Sequence, residues 1–116
     1  MFDFEKLEVY QILHGLNMEV LRFLIIKKDM DEYLKDQLKR ATLSVELNLA
    51  EGVGRQNSPD KKRFLTIARS SVFECTAIIN ILKDLGQLDL ATHKHFYDQY
   101  TSVSKMLLAM YRSYQK

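Results

Sequence analysis

The run Gln37-Leu38-Lys39-Arg40-Ala41-Thr42-Leu43-Ser44-Val45-Glu46-Leu47-Asn48-Leu49-Ala50-Glu51-Gly52-Val53-Gly54-Arg55 decides the fold. Gln37, Ala41, Ser44, Asn48, Glu51 and Arg55 follow one another at steps of 4, 3, 4, 3 and 4, so they line one seam of a helix. Leu34, Leu38, Ala41, Val45 and Leu49 form an apolar stripe beside it. A helix that sets polar groups next to its core must give them partners. The neighbouring helix has to supply them.

Outward from this run, Ser58-Pro59-Asp60 predicts the start of a third helix, with a serine cap, proline at the first helical position and a carboxylate near the positive end of the dipole. Upstream, Asp29 and Glu32 fit a capping box, which starts the second helix near Met30 and ends it near Arg55. A first helix is expected over residues 4–28, capped by Asp3, with Val9, Ile12, Leu13, Leu16, Val20 and Phe23 inward. The third helix buries Phe64, Ile67, Ser71, Cys75, Ile78 and Leu82 and stops at Gly86. Asp89 caps a fourth, with Phe96, Tyr100, Val103, Leu107 and Met110 inward. Short connections make neighbouring helices antiparallel, and the expected fold is all-α: one up-down-up-down four-helix bundle over residues 1–116.

A 116-residue chain with 47% hydrophobic and 28% charged residues can bury a core without staples. The lone Cys75 allows no internal disulfide and suits a reducing compartment. The acidic start Met1-Phe2-Asp3-Phe4-Glu5 lacks the layout of an export signal, and Arg22 interrupts the longest apolar run. A cytoplasmic protein with no membrane partner is the expectation. The net charge of +2 is small, but Arg55, Lys61, Lys62, Arg63 and Arg69 cluster around the second turn against Asp60 alone. Those five are the candidate nucleic-acid contacts.

Numbers that sum to about 114 face each other across that hairpin, which puts Arg40 opposite Glu74, Glu46 near Arg69 and Asn48 near Thr66. A partly buried Arg40–Glu74 ion pair fixing the register is expected. Glu51 and Arg55, one turn apart, can pair with each other. Gly52 weakens a helix unless a neighbour approaches closely there. Leu43, Leu47 and Ala50 on the second helix, and Met18, Leu21 and Ile25 on the first, lie off the core stripes and suggest a subunit interface.

Arg40, Ser44, Asn48, Glu51, Gly52, Gly54, Arg55 and Glu74, together with Phe64-Leu65 and Ala68-Arg69-Ser70-Ser71, resemble the family of small four-helix-bundle proteins encoded by intervening sequences of bacterial 23S ribosomal RNA genes. The resemblance spans nearly the whole chain and implies self-association, in five-membered rings as in the related accessory proteins of diversity-generating retroelements. It also implies association with RNA, or recruitment of a nucleic-acid enzyme such as a reverse transcriptase.

Catalytic templates fit poorly. None of His14, His93 and His95 follows an arginine by four to six residues, as a helical-bundle RNase would need. The residues three before these histidines are Gln11, Leu90 and Thr92, so the Glu-x-x-His of a di-iron bundle is missing. His93 and His95 are two apart on a helix and diverge, Cys75 falls on a core stripe, and Tyr97, Tyr100, Tyr111 and Tyr114 read as core or rim. No enzyme activity, metal or cofactor is expected.

Overall fold

Three short polar side chains set the helix starts. The computed structural model describes residues 1–115, in which a 3-10 turn, Asp3–Lys6, precedes α1 (Glu8–Ile26), α2 (Glu32–Gly54), α3 (Ser58–Asp84) and α4 (Leu90–Ser113). Asp31 accepts from the Leu34 backbone N–H at 2.9 Å, Asn57 from Asp60 at 2.9 Å and Asp89 from Thr92 at 2.8 Å. Asp89 is the expected cap; the other two correct the sequence reading. Asp29 points to solvent and pairs with Lys27 at 3.3 Å, so α2 begins two residues later than a cap there would require. Asn57 has extended backbone while Ser58 is already helical, so Asn57 takes the cap in place of the serine. The expected single first helix breaks at Leu7, whose ψ of 134° ends the 3-10 turn, and Asp3 caps nothing. Gly86, at φ +74°, closes α3 with the Gly86 and Gln87 N–H groups on the Lys83 and Leu82 carbonyls.

Cross-helix bonds fix the topology. Tyr10 and Asn17 reach Glu46, while Lys35 reaches back to the Lys27 carbonyl, so α1 and α2 are antiparallel. Arg40 meets Glu74 and Ser44 meets Ser71 across α2 and α3; His93 meets Asn80 and Arg69 meets the Ser104 carbonyl across α3 and α4. Glu19–His95 and the edge-on Phe23–Phe96 pair close α4 against α1. Four helices with no strand among the described residues make the chain all-α, with α2 against α3 the most extensive contact.

The core follows the expected stripes on α1, α2 and α4, and α3 is turned by about one position. Leu65, Ala68, Val72, Ile79 and Leu82 are buried with Cys75, whereas Phe64 and Ile78 are half-buried and Ile67 is 40% exposed. Ser71, Cys75 and Leu82 are buried as expected, and Ser71 meets α2 at Ser44. On α2 the buried residue next to half-buried Leu34 is Lys35, whose ammonium caps the Lys27 carbonyl at the end of α1. Lys61 repeats the device on the Val53 carbonyl at the end of α2, at 3.0 Å. Although Arg22 interrupts the apolar run of α1, both α1 and α3 are long and apolar enough to cross a membrane by length and composition alone. Their buried apolar residues build the bundle core together with the buried Asn17 and Ser71.

Glu46 fastens α1 to α2. Its carboxylate accepts from the Tyr10 hydroxyl at 2.8 Å and the Asn17 amide at 3.0 Å, and meets His14 Nδ1 at 2.8 Å. Burial pushes the Glu46 carboxyl up, but the bonds from His14, Tyr10 and Asn17 outweigh it and hold the group below its ordinary value. Burial, and then the bond to Glu46, raise the Tyr10 hydroxyl to about 12. The sequence pairing of Glu46 with Arg69 is therefore corrected: Glu46 lies on the α1 side of α2, and Arg69 turns to α4.

The α2–α3 seam is built from small groups. Ser44 and Ser71 share a hydrogen bond of 2.7 Å, and Asn48 donates to the Ser44 carbonyl at 2.8 Å, inside its own helix rather than toward Thr66. A Cβ on Gly52 would lie 3.0 Å from Phe64 Cβ, whereas one on Gly54 would meet nothing within 4 Å. Arg40 and Glu74 do pair, at 3.5 Å, but with side chains 64% and 49% exposed, so the expected buried pair is a surface pair. Nothing around it excludes water.

Differential stability follows from these contacts. Gly52→Ala is expected to lower unfolding free energy by about 1 kcal/mol, because overpacking outweighs the helix-propensity gain. Gly54→Ala is expected to raise it by about 0.5–1 kcal/mol, and urea melts that rank the two the other way would refute the close approach. Glu74→Gln should lose no more than about 0.5 kcal/mol, against about 2–3 kcal/mol for Glu46→Ala. Because the Glu46 value is depressed on folding, its contribution is full above the unfolded value of 4.5 and disappears as pH falls below it. The raised Tyr10 value acts oppositely, with stability lost as pH climbs from 10 toward about 12. Stability profiles of Glu46→Gln should be flatter on both limbs, and an unchanged acid limb would remove Glu46 from this role.

Candidate nucleic-acid interface

The seam delivers a cationic corner at the α2–α3 turn. Since Gly52 has no side chain, Phe64 sits directly against α2, and its ring is flanked by Arg55 at 4.6 Å and Arg63 at 4.7 Å. Each guanidinium also has a carboxylate one turn away: Glu51 is 3.5 Å from Arg55, and Asp60 is 3.9 Å from Arg63. The Glu51–Arg55 pairing is the one expected from spacing. Both arginines keep exposed edges, at 40% and 61%. Of the lysines, Lys61 is committed to the Val53 carbonyl and lies over the Tyr114 ring at 5.6 Å, while Lys62, half-buried, has no carboxylate partner among the described residues.

Arg69 stands apart from the other four. Its guanidinium lies 4.9 Å over the Phe73 ring, and its Nε donates to the Ser104 carbonyl at 3.4 Å, which places it in the α3–α4 groove. The sequence grouped it with the corner because it is near in number. Two adjoining cavities open beside it, of about 140 and 330 Å³, the larger lined by Phe73, Tyr97 and Lys105. Lys105 and Phe73 were missed, although Lys105 and Arg112, two helical turns apart, signalled a basic side of α4. The Glu46 cluster was also missed; Tyr10, His14 and Asn17, at steps of 4 and 3, were its legible trace.

The remaining sequence candidates are placed as follows. Leu43, Leu47 and Ile25 are exposed at 47%, 63% and 70%, and Ala50, Met18 and Leu21 are half-buried. They belong to α1 and α2, away from the α3–α4 groove. His93 and His95 diverge, to Asn80 on α3 and Glu19 on α1, both at 2.7 Å. Burial pushes the Cys75 thiol up to about 12, which removes the thiolate that nucleophilic chemistry would need. The Tyr100 hydroxyl is fully buried beside that thiol, with no hydrogen bond of ordinary geometry. Tyr111 and Tyr114 pack half-buried against the core, and Tyr97 is exposed at 42%. No group of three metal-ligating side chains converges among the described residues.

The backbone fold has a close counterpart in a crystal structure described as a protein of unknown function from the S23 ribosomal protein family of Bacteroides thetaiotaomicron VPI-5482. The two superpose with a TM-score of 0.84 at 15% sequence identity, over 89% of this chain and 97% of that one. At that identity the likeness speaks for the fold alone. No curated protein sequence matches the chain. The family model described as 23S rRNA-intervening sequence protein matches residues 5–109, which covers all four helices but the last turn of α4. The chain belongs to the 23S rRNA-intervening sequence protein family.

Proposed function

We propose that this protein is a non-catalytic, self-associating four-helix bundle of the cytoplasm that binds RNA through a basic surface. The observation carrying this reading is the corner where Arg55 and Arg63 clasp Phe64 with Lys62 nearby, all at one end of the bundle. Glu51 and Asp60 neutralise part of that charge, so one protomer offers few phosphate contacts. Binding by a single copy is weak and independent of base sequence, since guanidinium–phosphate contacts position a strand without reading it. Repetition of the corner in a homo-oligomer, a pentamer in this reading, multiplies the contacts. The exposed Leu43, Leu47 and Ile25 support self-association, because together they offer apolar area on adjoining helices.

Those same apolar residues favour a second reading, in which the assembled protein recruits a nucleic-acid enzyme and RNA binds mostly to that partner. Titration of fluorescent RNA at two salt concentrations separates them. Direct binding is expected to weaken with salt, with a logarithmic slope of roughly 0.7 per phosphate contact, and Arg55→Gln with Arg63→Gln should flatten it. Binding that is undetectable at low salt, or insensitive to salt, would favour the recruitment reading. Light scattering that returns one protomer's mass for the free protein would remove the self-association common to both.

A further inference from the structure

The α3–α4 side of the bundle carries chemistry that the corner does not. Two cavities meet there, sharing Arg69 and Phe73 in their linings, and the larger, about 330 Å³, lies within the size range of small-ligand pockets. Its lining combines Phe73 and Tyr97, residues 53% and 42% exposed, with the cations of Arg69 and Lys105. No carboxylate lines either cavity. Arg69 is already oriented: it stacks on Phe73, and one of its five donors is fixed on the Ser104 carbonyl, leaving the others to turn outward. Partly exposed aromatic rings, with Arg69 over one side of Phe73 and His93 beside Tyr97, next to cations without a carboxylate partner match one class of occupant, a planar base joined to a phosphate.

We propose that the α3–α4 groove is a binding site for unpaired nucleotides of an RNA strand, in which Phe73 and Tyr97 stack on bases while Arg69 and Lys105 hold the adjoining phosphates. This deepens the RNA reading above but uses residues of its own, apart from the corner cluster. Duplex RNA buries its base faces and cannot use the two rings, so the groove selects single strands. Stacking on an aromatic ring is tolerant of base identity, and the groove accordingly has little sequence preference. A free mononucleotide shares the chemistry and lacks the second phosphate that engages both cations.

The chain contains no tryptophan, so Phe73→Trp introduces a single reporter that preserves the stacking face. Its emission is expected to be quenched saturably by a single-stranded oligouridylate, and much less by a duplex of equal length or by uridine monophosphate. Phe73→Ala should weaken single-strand binding about tenfold while leaving its salt slope unchanged, and Lys105→Gln should lower that slope by about 0.7. Both side chains are exposed, and a thermal melt matching the parent's confirms the fold of each variant. Binding by anisotropy without quenching, or duplex bound as tightly as single strand, overturns the groove and leaves the corner intact. Equal quenching by uridine monophosphate and the oligonucleotide overturns the strand assignment. Loss of all RNA binding in the parent overturns both proposals together.

Discussion

The structure depends on how closely α2 and α3 approach. Two serine hydroxyls at 2.7 Å and a glycine whose missing Cβ would stand 3.0 Å from that of Phe64 leave no room for ordinary side chains along this line. Close approach gives these two helices the most extensive contact in the bundle and sets the positions of everything attached to them. Phe64 is held where Arg55 and Arg63 can lie against its ring, and Lys61 where it can reach the Val53 carbonyl near the end of α2. A packing constraint in the interior thereby arranges the charge at the surface.

Polarity is distributed unevenly over the four interfaces. The α1–α2 contact is drawn together by one carboxylate with three hydrogen-bonding partners, and the α2–α3 contact by neutral hydroxyls. At α3–α4 the apolar contact opens toward solvent into a groove. Buried hydrogen bonds to an ionised group are worth more than neutral ones, so the α1–α2 fastening responds to pH and the serine seam does not. The Arg40–Glu74 pair lies above the serine seam in water and adds little to it.

Much of the fold was legible because its punctuation is sparse and unambiguous. Gly86 and Asp89 stop one helix and start the next by simple chemistry, and only one proline is present to mark a boundary. Ambiguity arose where several residues could do one job. Asp29, Asp31 and Glu32 compete for one cap, and Asn57 precedes Ser58 at another. Along α3, Phe64, Leu65, Ile67, Ala68, Val72, Phe73, Ile78 and Ile79 put apolar groups nearly all round the helix, so periodicity could not choose a face. The candidate site was half legible for a related reason. Residues near in sequence share a turn, as Arg55 and Arg63 do, but Arg69 lies far enough along α3 to belong to the next interface.

Lys35 and Lys61 each bind the backbone carbonyl eight residues before them, at the end of the preceding helix. The acceptor becomes available only where that helix has finished, so each lysine couples the completion of one rod to the start of the next. Closing a loop of eight residues rather than the 76 that separate Glu19 from His95 saves about 2 kcal/mol of chain entropy. Local closures of this kind lower contact order, which favours rapid assembly through helical hairpins ahead of the return of α4 onto α1.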